Sequence, residues 1–238
     1  MAPASVLTQG IEHYWLNDWD FAEPLVQQIL PHPTVNLVWV DDGPGLVFGP
    51  RQRMNDIRMA GRGRVFGVQL RPGGFRWFTD LAQSELSAEP VPVTGILGAD
   101  RELDAALRSV DDGPRVEAVN RFLTSRRRDP GPANAVAMRL AHRARTDRRL
   151  TRVETLAATE SIAVRTMQRM FAAEIGVTPK WMIARYRVQE AIELADGAVN
   201  WAALAVRLGY SDQAHLVRDF SRAAGVSPAA YARLLRAG

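Results

Sequence analysis

The sequence predicts an α+β fold in two parts: a small β-rich N-terminal domain with flanking helices, then an all-helical C-terminal domain. Three observations predict it. Short runs of Val, Leu, Ile, Phe and Trp between Pro24 and Arg71 are cut by turn formers. From about Asn134 onward apolar residues fall at helical spacing. Between the two lies SRRRDPGPAN, Ser125 to Asn134, where charge, Pro and Gly replace apolar residues. The expected organisation is residues 1–124, a linker at 125–133, and residues 134–238.

A chain of 238 residues is long enough for each part to bury its own core. The absence of cysteine excludes a disulfide framework, a thiolate metal site and a cysteine nucleophile, and suits a reducing compartment. The start, MAPASVLTQGIEHYW, lacks the basic and apolar regions of a signal peptide, and no apolar run approaches the roughly 20 residues that cross a bilayer. A cytoplasmic protein without membrane contact is expected. Residues 1–124 hold 11 Arg against 16 Asp and Glu, whereas residues 125–238 hold 19 Lys and Arg against 10 acids. The overall charge of +4 thus hides an acidic front and a basic back, as expected when only one domain sits on phosphates. Arginines that merely solvate helix faces would give the same count.

In the front part, LVQQILP, TVNLVWV, LVFGP, MNDIRMAGRG and RVFGVQL read as strands of an antiparallel unit, with Asp42-Gly43 and Gly61 to Gly63 as turns. Gly73-Gly74 opens a helical stretch, FRWFTDLAQ, and the proline-dotted EPVPVTGI follows as strand or loop. Asp100 to Val110 and Pro114 to Leu123 carry apolar residues at helical spacing and read as a helical hairpin turning at DDGP. In the back part, helices are predicted over Asn134 to Asp147, Arg152 to Thr159, Ala163 to Ala173, Pro179 to Ala195, Trp201 to Leu208, Ser211 to Ala224 and Pro228 to Arg236.

Two segments of the back part repeat one another about fifty positions apart, Leu156 to Phe171 and Leu204 to Phe220, each with the pattern of a helix-turn-helix. In the second, Leu204 and Leu208 face inward, Gly209 can adopt positive φ and end the first helix, and Ser211 can cap the next with Asp212 in its first turn. Leu216, Val217 and Phe220 bury that helix, leaving Gln213, Ala214, His215, Arg218 and Arg222 to the other faces. Gln suits adenine and Arg suits guanine in the major groove, while arginines late in the helix more often take phosphates. The first unit would expose Arg165, Thr166, Gln168 and Arg169. It is weaker locally, since Ala163 stands where a capping Ser or Thr is favoured by about 1 kcal/mol and Ser161 where glycine would ease the turn. A long helix from Pro179 would hold the units rigidly apart, letting both enter successive major grooves about 34 Å apart.

Gly209-Tyr210-Ser211-Asp212-Gln213, then His215-Leu216, Arg218, Phe220 and Gly225-Val226-Ser227-Pro228, match the signature of one family almost residue for residue, and Gly176-Val177-Thr178-Pro179 echoes it. On these residues the segment from about Asn134 to Arg236 resembles the DNA-binding domain of the AraC family of bacterial transcription regulators. The resemblance implies double-stranded DNA as partner, contacted by Arg165, Thr166, Gln168, Arg169, Ser211, Gln213, His215, Arg218 and Arg222. It also implies a second domain that senses a small-molecule effector or mediates dimerisation, and it leaves room for RNA polymerase and a second copy of the chain as partners. The front part, through GPR at Gly49 to Arg51 and LRPGG at Leu70 to Gly74, is similar to a β-rich domain of unknown function that precedes some AraC-type domains.

Read directly, the front part is rich in aromatics, which on alternating strand positions most often fill a core. Leu37 and Trp39 share one face of their strand; Asn36, Val38 and Val40 share the other. If a cavity exists there, Trp39, Phe66 and Trp77 are its candidate walls and Arg71 its anchor for an anionic effector. A surface arginine beside an ordinary turn is the plainer reading. A different reading makes the front half a protein-interaction module with no ligand, docking through an exposed stripe of Leu103, Leu107, Val110, Val119 and Leu123. An enzyme is not expected: His13 and His32 form no two-His metal motif, and HExxH, phosphate-loop and GxSxG patterns are missing. No cofactor and no metal are expected.

Overall fold

A computed structural model describes residues 1–52, 55–86, 89–194 and 200–231. Five strands, β1 (Ile11–Ile29), β2 (Asn36–Val40), β3 (Leu46–Phe48), β4 (Asn55–Leu70) and β5 (Val91–Pro92), form one antiparallel sheet in the order β1-β4-β2-β3-β5. β1 begins well before the first expected strand: Trp15 and Trp19 fall on one face in the strand rhythm, each opposite a glycine of β4.

β4 runs straight through Gly61 to Gly63, where a turn was expected. Gly61 takes φ 59° opposite Phe21, and the register then steps so that Leu25 faces Met59. The chain therefore bulges instead of reversing, and Pro24, which has no N–H for the ladder, falls inside the step. The other glycines of this strand serve by their missing side chains. Gly63 pairs with Trp19 and Gly67 with Trp15, and a Cβ at either position would lie 2.3 or 2.0 Å from the indole opposite. The expected helix FRWFTDLAQ is instead two 3-10 turns, Gly74–Trp77 and Gln83–Glu85. Gly73 at φ 84° forces the first, and the three-residue spacing buries Phe75 and Phe78 together.

One sheet face carries Leu37, Trp39, Phe66, Val68 and Leu70 into a core closed by α1 (Val93–Leu97), α2 (Arg101–Leu107) and α3 (Asp112–Ser125). Val40, on the opposite face, is exposed. The stripe offered as a docking surface is buried here: Leu103, Leu107, Val119 and Leu123 are all under 9% exposed, and Val110 alone of the five faces solvent. The hairpin turn also sits earlier than expected. α3 starts at Asp112, so Gly113 and Pro114 occupy its first turn, where a missing N–H costs nothing.

Residues 126–131 join α3 to α4 (Pro132–Thr146) and are pinned to the front domain. Arg126 donates from Nε to the Leu97 carbonyl at 2.6 Å and lies 3.7 Å over the Phe122 ring, while the Arg128 backbone donates to Trp77. Beyond α4 come α5 (Val153–Ala158), α6 (Val164–Glu174), α7 (Pro179–Glu193), α8 (Trp201–Arg207) and α9 (Gln213–Ala224). Residues 228–231 are helical; the rest of the helix expected to Arg236, and Ala195 at the expected end of the helix from Pro179, lie outside the described residues.

These helices enclose two cores. Leu140, Leu156, Met167, Phe171 and Met182 fill the first; Leu204, Leu208, Leu216 and Phe220 fill the second, to which Leu30 of the front domain adds its side chain. The domains meet at polar nodes too. Buried Asn134 donates to the Gly73 carbonyl and to Glu174 Oε2, which also accepts from Arg76 at 3.2 Å. Arg145 pairs with Glu12 at 2.6 Å.

Candidate nucleic-acid interface

The two helix pairs are built alike. In the first, Leu156 and Ala157 of α5 pack on Met167 and Phe171 of α6, and the Ile162 N–H returns to the Ala157 carbonyl at 3.2 Å. In the second, Leu204 and Ala205 of α8 pack with Leu216 and Phe220 of α9, and the Tyr210 N–H returns to the Ala205 carbonyl at 2.9 Å. Each turn needs one left-handed residue: Gly209 at φ 71° in the second, and Ser161 at φ 52° in the first. Serine in that conformation is strained, which marks the weaker local sequence of the first unit.

On α6 the residues at positions 164, 167 and 171 turn inward, so Arg165, Gln168 and Arg169 share the exposed face, with Thr166 half-buried at its margin. Ala163 is the N-cap and offers no side-chain bond to the first turn. Glu160, in the turn, accepts from Arg139 at 2.7 Å and lies 3.8 Å from Arg143, which fixes the turn to α4. The Arg139 bond holds the Glu160 carboxyl below its ordinary pKa.

α9 begins two residues later than expected, because Asp212 and not Ser211 is its N-cap. Asp212 Oδ1 accepts the His215 N–H at 2.7 Å, and an ionised carboxylate is the better acceptor at a helix start. That bond, then the Ser211 hydroxyl, pulls the Asp212 pKa below 3.8. Ser211 Oγ instead bridges Asp212 and His215 Nδ1. His215 stands edge-on to Tyr210 with its Nε2 3.6 Å from Asp219, which also accepts from Arg222 at 3.0 Å. Of the side chains expected to reach DNA, Gln213 and Arg218 are thus exposed and without a hydrogen bond or ion pair among the described residues, as are Arg165, Gln168 and Arg169. Ser211, His215 and Arg222 are engaged within the unit.

α7 positions both units. Thr178 caps it, accepting the Trp181 N–H at 3.2 Å, and Pro179 pre-sets its first turn. Fifteen residues span about 22 Å. Its Arg187 donates from Nε to the Leu208 carbonyl at 2.8 Å and lies 3.7 Å over the Tyr210 ring, clamping the second turn from behind. Burial lowers the Arg187 pKa. Sequence reasoning passed over Glu160, Arg187 and Asp219. Only Asp219 left a local signal, at four residues after His215 and three before Arg222.

The residues expected around an effector are dispersed in role. Trp39 and Phe66 stand in the packed core with rings 6.2 Å apart, Trp77 is half-buried under Arg127, and Arg71 donates from Nε to the Thr8 carbonyl at 2.9 Å. Among the described residues no cluster of three or more His, Cys, Asp or Glu is placed to hold a metal, and no helix is long and apolar enough to cross a membrane.

Residues 156–234 match the family model described as a helix-turn-helix domain, and residues 1–92 match that of a domain of unknown function (DUF6597). No curated protein matches the chain. Among solved structures, ToxT from Vibrio cholerae bound to an unsaturated fatty acid superposes with a TM-score of 0.50 at 10% identity, covering 92% of this chain and 94% of ToxT. The DNA-binding domain of AdpA in complex with a target DNA is 32% identical over 44% of this chain and 94% of its own, with a TM-score of 0.36. The C-terminal domain of AraT from Geobacillus stearothermophilus is 24% identical over 42% of this chain and 84% of its own, with a TM-score of 0.39. Residues 156–234 thus form an AraC-type helix-turn-helix domain, in a chain whose matches support a DNA-binding transcription regulator with an N-terminal domain of unknown function.

Proposed function

We propose that the chain reads duplex DNA with α6 and α9 in successive major grooves, and that its N-terminal domain, under the control of a small molecule, sets how firmly the two are held. The division of labour follows residues 1–124, 125–133 and 134–238. The observation that carries this reading is the pairing of two exposed faces without a hydrogen bond or ion pair among the described residues, Arg165, Gln168 and Arg169 on α6 and Gln213 and Arg218 on α9, with one capped helix joining their units. Gln213 and Arg218 suit adenine and guanine edges, and Gln168 with Arg165 or Arg169 repeats that chemistry. Thr166, Ser211 and Arg222 suit phosphates, which orient the protein without naming a sequence. His215 keeps Ser211 and the start of α9 in place.

The test is selection of the full chain against random duplex DNA at physiological salt. An enriched site with two conserved patches one helical turn apart is the expected result. Retention that depends on salt alone, with no enriched sequence, would contradict it.

A further inference from the structure

A cavity of about 350 Å³ opens between the domains. The front domain contributes Glu12, His32 and Gln69; α4, α7 and the loop after α4 form the remaining wall. Its chemistry is unusual for a ligand pocket, since among the described residues Ala144 and Leu150 alone are aliphatic in its lining.

Its acids are all engaged. Glu12 pairs with Arg145 at 2.6 Å, Glu190 with Arg148 at 2.8 Å and Asp147 with Arg149 at 2.9 Å, and Glu193 accepts from Gln189 at 3.2 Å. Two arginines of the wall have no carboxylate within 4 Å among the described residues. Arg185 is 2% exposed; it donates from Nε to the Pro31 carbonyl and from Nη2 to Gln189 at 3.0 Å, and its Nη1 has no partner among the described residues. Glu193 reaches it only at longer range. Arg187 gives its Nε–H to Leu208, and its buried Nη2 has no partner among the described residues. A buried guanidinium with unfilled donors and carboxylates only at longer range is costly, and an anion in contact relieves that cost.

We propose that this cleft binds a compact, multiply charged anion, a phosphorylated or polycarboxylic small molecule, held by Arg185 and Arg187 of α7 and by Gln69 and His32 of the front domain. Guanidiniums present planar pairs of N–H groups to carboxylate or phosphate oxygens, and the polar lining disfavours a long apolar ligand. The proposal rests on the reading that the front domain governs the DNA-binding one, and it gives that control a route. Arg185 holds Pro31 of the front domain, and Arg187 holds the turn before α9, so an anion drawing on both changes how α9 is set.

The test is calorimetric titration of the full chain with inorganic phosphate, pyrophosphate and citrate at constant ionic strength. At least one should bind saturably with one site per chain, and more than tenfold more weakly in Arg185→Gln. Because that variant removes a buried anchor, Gln189→Glu is the second. It hands Arg185 an internal carboxylate one turn away and keeps the shape of the side chain, though it gives up the bond to Glu193, and should weaken the probe equally in a chain that thermal melts show still folded. Arg218→Gln, on the DNA face, should leave the titration unchanged. Binding of the phosphates alone assigns a phosphorylated ligand, and of citrate alone a polycarboxylic one. No saturable binding by any probe, undiminished binding in Gln189→Glu, or loss in Arg218→Gln would overturn the proposal. The DNA selection separates the two readings: an enriched two-patch site with no anion binding retires this site only, whereas anion binding without any enriched site retires the regulator reading.

Discussion

Asp219 divides the polar residues of α9 between two tasks. It takes Arg222 and His215 as partners within the helix, whereas Gln213 and Arg218, proposed to meet base edges, have no such partner among the described residues. Fluorescence anisotropy on an enriched site should therefore separate the two arginines. Arg218→Ala should cost about 1 to 3 kcal/mol on that site and relax its specificity. Arg222→Ala should weaken all duplexes alike, with a shallower salt dependence. Equal, sequence-independent losses in both would place Arg218 on phosphate. Asp212 carries a pH signature. Its folded pKa lies below 3.8, so its capping contribution is complete above that value and disappears as pH falls through the depressed one. Asn also caps a helix but does not titrate. The stability lead of the wild type over Asp212→Asn, followed by thermal melts, should stay flat from neutral pH to about pH 5 and change only below 3.8. A lead that stays flat to pH 2 would mean the carboxylate is not the cap.

At the scale of elements, the β1–β4 ribbon owes its fit to glycine. Trp15 lies where a Gly67 side chain would be, so Gly67→Val should destabilise the chain by about 1 to 3 kcal/mol in urea melts through overpacking, with little change on an exposed residue such as Asn17. The same glycines explain where the sequence misled. Gly61 to Gly63 carry the composition of a turn, but the two residues that decide the matter, Phe21 and Trp19, lie some forty positions away on β1. Likewise the stripe of Leu103, Leu107, Val119 and Leu123 reads equally as docking face or core until the sheet that covers it is known. The helix pairs were legible because their signals are local: Gly209, Gly176 and Thr178-Pro179 each dictate their own backbone. The cap expected at Ser211 falls instead on Asp212, one residue on, whose charge makes it the better acceptor.

Across the whole molecule, the contacts between domains left no trace in the sequence, since each joins residues separated by tens of positions through unremarkable side chains. Glu174 lies at the end of α6 and accepts from Arg76 and Asn134 together. Glu174→Ala should cost about 2 kcal/mol, less than a fully buried pair because Arg76 keeps some solvent. In a chain whose domains melt as one unit, that loss should lower a single transition; two separated transitions would show that the node joins domains otherwise independent. The acidic front and basic back fit the same picture, with the basic excess confined to the domain bearing α6 and α9.

The central claim is that α6 and α9 read DNA as one rigid unit, and the most direct measurement is the affinity of the full chain for its enriched site with five base pairs inserted between the two patches. Half a helical turn places the second groove on the far side of the duplex. Affinity should fall to that of a site bearing one patch only; an unchanged affinity would mean that the two helices do not act together.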